Sequence, residues 1–440
     1  GVSGGVCAAL LQRQGLSVTL FERSKRLGGR ASARRTSLQE LGEACGASGS
    51  RRLQFDHGAQ FFTVRDARFK MLVESPVVSG LVEEWRGRFG VLGSRGGEVL
   101  PREDVLASGM FRVPSTRPAA EEDEGAAAAA AAAAEGRRKE IAQSAINFYG
   151  FLEGSFSQGL YTGASGLGGL VPAVLARAGV SVLENTRVTD LAFKDWDGHG
   201  KRKWFLTTDR DVQHEPFDSV VLANHDPAFA AETIERLQAN APDPELSQEA
   251  VAAVIGQFAQ RLRGLRSAQQ SRYSLLVAFP RPLTELPFDA VSVHGSELQF
   301  LSRDGSKPGR GSDPECWVLQ SSPEFASLLD RELGTSRTPE ATARMWKAAE
   351  RLLGRFFEGG SLPAPLYSHA RRWNAAGFTE PLDLNAAGGT HNDAVTFAPW
   401  ALALCGDYLG ARQGVEEAAL SGMMAADRVA QWASASEALI

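Results

Sequence analysis

Hydrophobic positions along the 440-residue chain follow two rhythms, one helical and one strand-like. Val6-Cys7-Ala8-Ala9-Leu10-Leu11 carries the small and apolar face of a helix packed on a sheet, and Gly15 closes it. Ser17-Val18-Thr19-Leu20-Phe21 is a short β-branched run ended by Glu22, as expected of a buried parallel strand. A turn-rich loop follows from Ser24 to Gly29. Residues 36–52 carry glycine, serine and charge without any period and read as a surface insertion. Residues 115–140 read as a second, low-complexity insertion, with Glu121-Glu122-Asp123-Glu124 ahead of an alanine run, Ala126 to Ala134. Alanine favours helix, but this run has no apolar stripe to bury, so a flexible or partly helical surface segment is expected.

The pattern then resumes. Gly166 to Ala178 predicts a helix, and Val180-Ser181-Val182-Leu183 a strand. Further strands are predicted at Arg187–Leu191, Trp204–Thr208 and Phe217–Ala223, the last almost wholly apolar in its second half, as in a sheet covered on both faces. Leu275–Phe279, Val291–Val293, Leu298–Leu301 and Trp317–Gln320 read as strands of a different, more antiparallel sheet, followed by helices near Glu324–Glu332 and Pro339–Phe357. Leu402 to Asp407 returns to the first pattern, ahead of a helix from Val415 to about Trp432. No repeat is visible. The expectation is an α/β protein. A Rossmann-like domain is built from three discontinuous segments (1–75, 159–230 and 395–440), interleaved with an α+β substrate domain of mixed or antiparallel sheet (76–158 and 231–394).

Composition narrows the class. Apolar residues make up 43% and charged residues 22%, an ordinary globular balance. The net charge of -5 and the scattered lysines and arginines give no pull toward nucleic acid or anionic membrane. Cys7, Cys45, Cys316 and Cys405 form no CxxC pair, so no metal site or dithiol is expected, and so few cysteines suit a reducing compartment. No apolar run reaches the roughly 20 residues of a membrane helix. The expectation is a soluble intracellular protein whose compartment the sequence leaves open.

Four elements carry candidate chemistry. The first is Gly1-Val2-Ser3-Gly4-Gly5, which opens the first helix. A dinucleotide fold places G-x-G-x-x-G between a strand and a helix, so that backbone approaches a pyrophosphate and the helix N-terminus faces it. Gly1 fits the second glycine and Gly4 the third, with Ser3 between them; the first glycine and its strand would precede residue 1. Glu22, about 20 residues on at a strand end, suits a ribose hydroxyl. The second is Arg23 followed by Leu27-Gly28-Gly29-Arg30, where glycines let the chain pass close to a cofactor and Arg30 can offset phosphate charge. The third is Phe55-Asp56-His57-Gly58-Ala59-Gln60-Phe61-Phe62-Thr63: Gly58 and Ala59 set small groups beside something planar, and Gln60 can hydrogen-bond. The fourth is Gly406-Asp407 at a strand end, then Gly414-Val415 at a helix start, where N–H groups would face a developing negative charge.

Together these elements resemble the FAD-dependent amine oxidase superfamily. The Phe55–Thr63 segment and Leu298 to Arg310 are similar to its renalase-like branch. The resemblance runs from residue 1 to about 432, interrupted by the insertions. It implies non-covalent FAD and adds Val188 to the cofactor contacts. It implies transfer of a hydride from a small reduced substrate, which could be a dihydronicotinamide dinucleotide isomer, and reoxidation by dioxygen to hydrogen peroxide. Positioning then matters more than an acid or base, and no catalytic side chain is named. His57, Gln60 and Trp400 are candidates for the ring face, and Lys307 and Arg310 for a phosphate-bearing substrate. Two readings stay open beside this one. One is an amine oxidase-type reaction on another substrate, with Trp400 and Tyr408 as an aromatic pair. The other is a non-catalytic subunit whose insertions, including Asp383 to Phe397, bind a protein partner.

Overall fold

The computed structural model describes residues 1–37, 52–93, 99–101, 159–238, 249–334, 337–379, 382, 394–409 and 412–437. The low-complexity segment 115–140 and nearly all of the first insertion lie outside the described residues. The fold is α/β, with a Rossmann-like half and a mixed sheet interleaved in sequence.

In chain order the elements are α1 (Val2–Arg13), β1 (Thr19–Phe21), β2 (Ala33–Ser37), β3 (Arg52–Asp56), α2 (Ala67–Glu74), β4 (Val82–Glu84), β5 (Phe89–Gly93), β6 (Val99–Pro101) and β7 (Tyr161–Gly163). Next come α3 (Leu167–Ala178), β8 (Ser181–Leu183), β9 (Val188–Asp195), β10 (Arg202–Thr208), β11 (Val220–Leu222), α4 (Pro227–Gln238) and α5 (Glu249–Leu265). The last stretch holds β12 (Gln269–Phe279), β13 (Ala290–His294), β14 (Leu298–Arg303), β15 (Glu315–Ser321), α6 (Pro323–Leu333), α7 (Thr338–Leu353), β16 (Tyr367–Phe378), β17 (Ala394–Phe397), β18 (Leu402–Cys405) and α8 (Val415–Glu437).

The Rossmann-like half has two parallel strand pairs, β1 with β8 and β11 with β18. Helix α1 packs on α8 and α3 through side chains small enough for backbones to touch. A Cβ on Gly5 would come within 2.7 Å of the Val171 side chain, and one on Gly422 would collide with the Ser3 carbonyl oxygen. Cys7, Leu11, Ala403, Ala425 and Ala426 fill this seam.

The second half is a seven-stranded sheet in the order β16-β12-β15-β14-β13-β5-β6, antiparallel except where β13 meets β5. Strand β12, second from one edge, is buried on both faces along Leu275–Phe279, which explains its apolar run there. Leu275, Val277 and Phe279 point toward α6 and α7 with Leu329 and Met345. Leu276 and Ala278 point the other way, against Leu53 and Phe55 of β3. Helix α6 starts where Ser322 accepts a hydrogen bond from Phe325 N at 3.1 Å, with Pro323 in its first turn.

Several expectations change in detail. The first helix begins at Val2, not Val6. The edges of the insertion at 36–52 belong to the antiparallel β2–β3 pair, where Thr36 pairs with Leu53 and Ser37 with Arg52, after Arg34 with Phe55 and Arg35 with Gln54. Ala394–Phe397, expected to lengthen the surface, is instead a strand paired antiparallel with β18; 383–393 lies outside the described residues. The 12-residue β16 was not foreseen, because its charged residues break the apolar run.

Replacing Gly422 by valine is expected to force α1 and α8 apart. A loss of about 1–3 kcal/mol, the usual cost of overpacking, is predicted from urea denaturation, against a negligible change for valine at the open Gly264.

Candidate functional site

A cavity of about 2070 Å³ runs along the N-terminus of α1, from between β1 and β11 to the face of β16. Helix α1 has Gly1 as its N-cap with no side-chain cap. Its first N–H groups therefore lack intrahelical partners and offer a ready anion site. Gly28 and Gly29 adopt positive φ, 107° and 55°, which brings the loop onto this helix end. A Cβ on Gly29 would stand 3.1 Å from Gly1 Cα. The two glycine turns therefore form one cradle of bare backbone.

Charged side chains frame the cradle. Glu22 leaves β1 into the cavity wall and accepts a hydrogen bond from Ser24 N at 2.8 Å. Arg23 contacts His225 Nε2 at 3.1 Å. Arg30 forms an ion pair with Asp407 and donates to the Ala376 carbonyl at 3.2 Å. Part of the charge expected to meet phosphate thus also ties the loop to the strand end at Gly406-Asp407. Gly406 N is held by Ser421 Oγ at 2.8 Å. At the start of α8, Glu416 accepts from Arg65 N and Asp66 N, both at 2.7 Å, and with Glu417 pairs the Arg65 guanidinium. Glu417 is buried enough that its carboxyl is pushed up, with Arg65 working against that rise.

The Phe55–Thr63 loop closes the far side. A Cβ on Gly58 would collide with the Arg30 carbonyl, to which Ala59 N donates at 2.9 Å. The His57 carbonyl accepts from Ser274 Oγ at 2.7 Å and Trp373 Nε1 at 2.8 Å. The Gly58 carbonyl accepts from Gln320 Nε2 at 2.8 Å. The loop is thus clamped between the cradle and the second sheet. The His57 ring stands edge-on to Trp373, centroids 4.8 Å apart. Burial, then Arg371, Arg34 and Arg26, pull its pKa down to about 3, against a smaller opposing effect of Asp304.

The cavity wall contains Gly1, Ser3, Gly4, Glu22, Arg23, Gly28, Gly29, Arg30, His57, Ala59, Val188, Gly406, Asp407, Gly414 and Val415. Gly58 buttresses the wall from behind. Four residues lie elsewhere. Gln60 is buried, donating to the Asp56 and Gly58 carbonyls while its Oε1 accepts from Ser302 Oγ and Lys307 Nζ, so nothing is left for a ligand. Lys307 and Arg310, read as contacts for a phosphate-bearing substrate, are drawn inward by two carboxylates. Lys307 Nζ lies 2.7 Å from Asp304 and 3.4 Å from Asp56, and Arg310 lies 2.7 Å from Asp56 and 2.8 Å from Asp304. Lys307 also sits over the Trp85 ring, 5.2 Å from its centroid. Trp400, read as facing the ring, is buried in the core of the Rossmann-like half, and its carbonyl accepts from Trp204 Nε1 at 2.7 Å. Sequence reading missed Arg34, His369, Arg371 and Trp373, which also line the cavity. The one available signal was the alternation Tyr367, His369, Arg371, Trp373 along a single strand face.

Comparison with known proteins agrees with this geometry. Residues 1–75 match the NAD(P)-binding Rossmann-like domain family. Over almost the whole chain the fold is similar to solved structures of low sequence identity. An oxidoreductase from Methanosarcina mazei is 16% identical, with 96% of this chain and 97% of that one aligned and a TM-score of 0.59. A proposed protoporphyrinogen oxidase from Exiguobacterium sp. 255-15 is 14% identical over 98% of this chain and 97% of that one, TM-score 0.57. Putrescine oxidase bound to putrescine is 15% identical over the same shares, TM-score 0.55. These likenesses establish the fold. Among the described residues no helix is long and apolar enough to cross a membrane.

Two outcomes follow from the buried charges. Lys307→Met is expected to cost about 3 kcal/mol in urea denaturation, the low end for breaking a buried pair, because Arg310 still faces both carboxylates; Lys70→Met, on an exposed helix face, is expected to be near neutral. The imidazole of His57 has a folded pKa below its unfolded one. Its contribution to stability is full above about pH 6.5 and falls as pH drops toward about 3. His57→Gln is expected to flatten the stability–pH curve across that window; an unchanged curve would refute the assignment.

Proposed function

We propose that this chain is an FAD-dependent oxidoreductase acting on a small reduced substrate. The observation that carries the reading is the meeting of two glycine turns, a strand-terminal acid and a Gly-Asp strand end on one cavity that also reaches a second sheet. The uncapped α1 N-terminus and the Gly28-Gly29 approach suit a pyrophosphate, which a Cβ at either turn would crowd. Glu22 suits the ribose hydroxyls. Gly406, Asp407, Gly414 and Val415 would follow the rest of the cofactor toward Ala59 and His57.

FAD, when bound, would accept a hydride pair of electrons from the substrate and return them to dioxygen as hydrogen peroxide. The protein's task is then to hold the donor carbon in place and exclude water. The domain division follows the same logic: segments 1–75, 159–230 and 395–440 would bind FAD, and 76–158 with 231–394 would cover the substrate. A renalase-like substrate, a dihydronicotinamide dinucleotide isomer, is the finer form of this proposal. A strand ahead of Gly1 would fit between β1 and β11, whose facing edges are unpaired among the described residues and both line the cavity.

Titration with FAD under calorimetry is expected to give one site per chain, tighter in a chain extended at its start by an apolar strand. Glu22→Ala is expected to weaken it about tenfold by removing charge-assisted hydrogen bonds. Absence of FAD binding in both chains refutes the reading. With FAD bound, anaerobic bleaching of its absorbance by dihydronicotinamide isomers, but not by putrescine, supports the finer form; the reverse result overturns it.

A further inference from the structure

The end of the cavity beneath β16 carries positive charge that no carboxylate among the described residues pairs. Some arginines around this region have carboxylate partners: Arg30 has Asp407, Arg372 has Asp330 and Arg303 has Glu315. Among the described residues no carboxylate pairs with Arg34 or Arg371, yet both stand in the cavity wall. Their placement follows from strand geometry. Tyr367, His369, Arg371 and Trp373 alternate along β16 and share one face. Arg372 takes the opposite face and is bound there by Asp330 at 2.6 Å. Arg34 comes from β2, in register with Phe55, whose ring stacks on Tyr367 at 5.7 Å. Its positive charge works against the rise that burial gives the Tyr367 hydroxyl.

Planar groups stand beside these charges. His369 stacks on Tyr367 at 6.2 Å, and His57 meets Trp373 edge-on at 4.8 Å. Both imidazoles are pushed toward the neutral form, first by burial and then by Arg34 and Arg371. Neither histidine adds charge, so the two guanidiniums set the local sign. The cluster therefore disfavours a protonated amine, although the fold is shared with a putrescine oxidase.

We infer that Arg34 and Arg371 bind an anionic group of the substrate, a carboxylate or a phosphate, while its planar body packs against Trp373 and His57. The inference deepens the reading of this cavity as a cofactor and substrate site. Guanidinium forks match the oxygens of either anion, and a partly enclosed cavity strengthens the attraction over that in open water. The site would select against cations by repulsion as well as for anions by attraction.

The test uses the FAD-loaded protein and three probes of similar shape: benzoate, phenyl phosphate and the neutral benzamide, each titrated by calorimetry at low and high salt. Benzoate or phenyl phosphate is expected to bind at least about tenfold tighter than benzamide, with affinity falling as salt rises. The tighter of the two anions identifies the group. Arg371→Gln and Arg34→Gln are each expected to lower anion affinity about tenfold and leave benzamide unaffected, while Arg371→Lys retains most of it. Both side chains are exposed, so these variants are expected to fold, as a thermal melt will show. Equal binding of benzoate, phenyl phosphate and benzamide, or unchanged anion affinity in both glutamine variants, overturns the inference. Repeating the titration without FAD separates the two claims. Arginine-dependent anion binding in a chain that takes up no FAD sinks only the cofactor reading, and FAD binding without it sinks only this one.

Discussion

The structure depends on backbone meeting backbone with no side chain between. Gly29 approaches Gly1, Gly58 lies on the Arg30 carbonyl, and Gly422 lies on the Ser3 carbonyl. Each contact joins segments far apart in sequence, and each would be pushed open by one methyl group. The first makes the bare cradle at the end of α1. The second hangs the His57 loop from the same cradle. The third holds α1 against α8, so that the Gly406-Asp407 strand end and the Val415 helix start face the same space. Close packing of this kind is stiff, and stiffness is what a positioning site requires.

Charge is arranged to a complementary end. The group Lys307, Arg310, Asp56 and Asp304 is buried and carries two charges of each sign. Burial alone would raise the Asp304 carboxyl, but Lys307 and Arg310 outweigh it and hold the carboxyl below its usual range. Such a cluster adds little net stability compared with apolar packing, and what it does is fix geometry. Asp56 immediately precedes His57, and Gln60, held by Lys307, follows Ala59. The cluster therefore pins both ends of the short stretch that enters the cavity wall. Arg34 and Arg371, which face the cavity, have no carboxylate partner among the described residues.

Much of this was legible in sequence because backbone demands leave strong traces. A glycine where the chain must bend to positive φ, a β-branched run ended by Glu22, and Gly-Asp before a helix each have one economical reading, and the structure sets all of them on one cavity. Side chains whose roles depend on partners from elsewhere left weaker traces. Lys307 and Arg310 looked like contacts for a phosphate-bearing substrate, since nothing nearby in sequence says that Asp56, some 250 positions earlier, will meet them. Gln60 was misread for the same reason. Trp400 looked like a ring-facing aromatic, yet its strand end turns it into the core. Strand β16 escaped notice because its exposed face is charged and aromatic, whereas strand recognition looks for apolar alternation.

That escape bears on how far fold can inform function. The fold is shared with proteins named for amine and porphyrinogen oxidation. A second sheet facing the cradle is free to vary, since its outward side chains contribute little to the core beneath. Here Leu275, Val277 and Ala370 keep that core filled, while Arg371 on the other face of β16 takes no part in it. The sign of the charge presented there, rather than the fold, decides which small molecules can share the cavity with a cofactor, and in this chain that sign is positive.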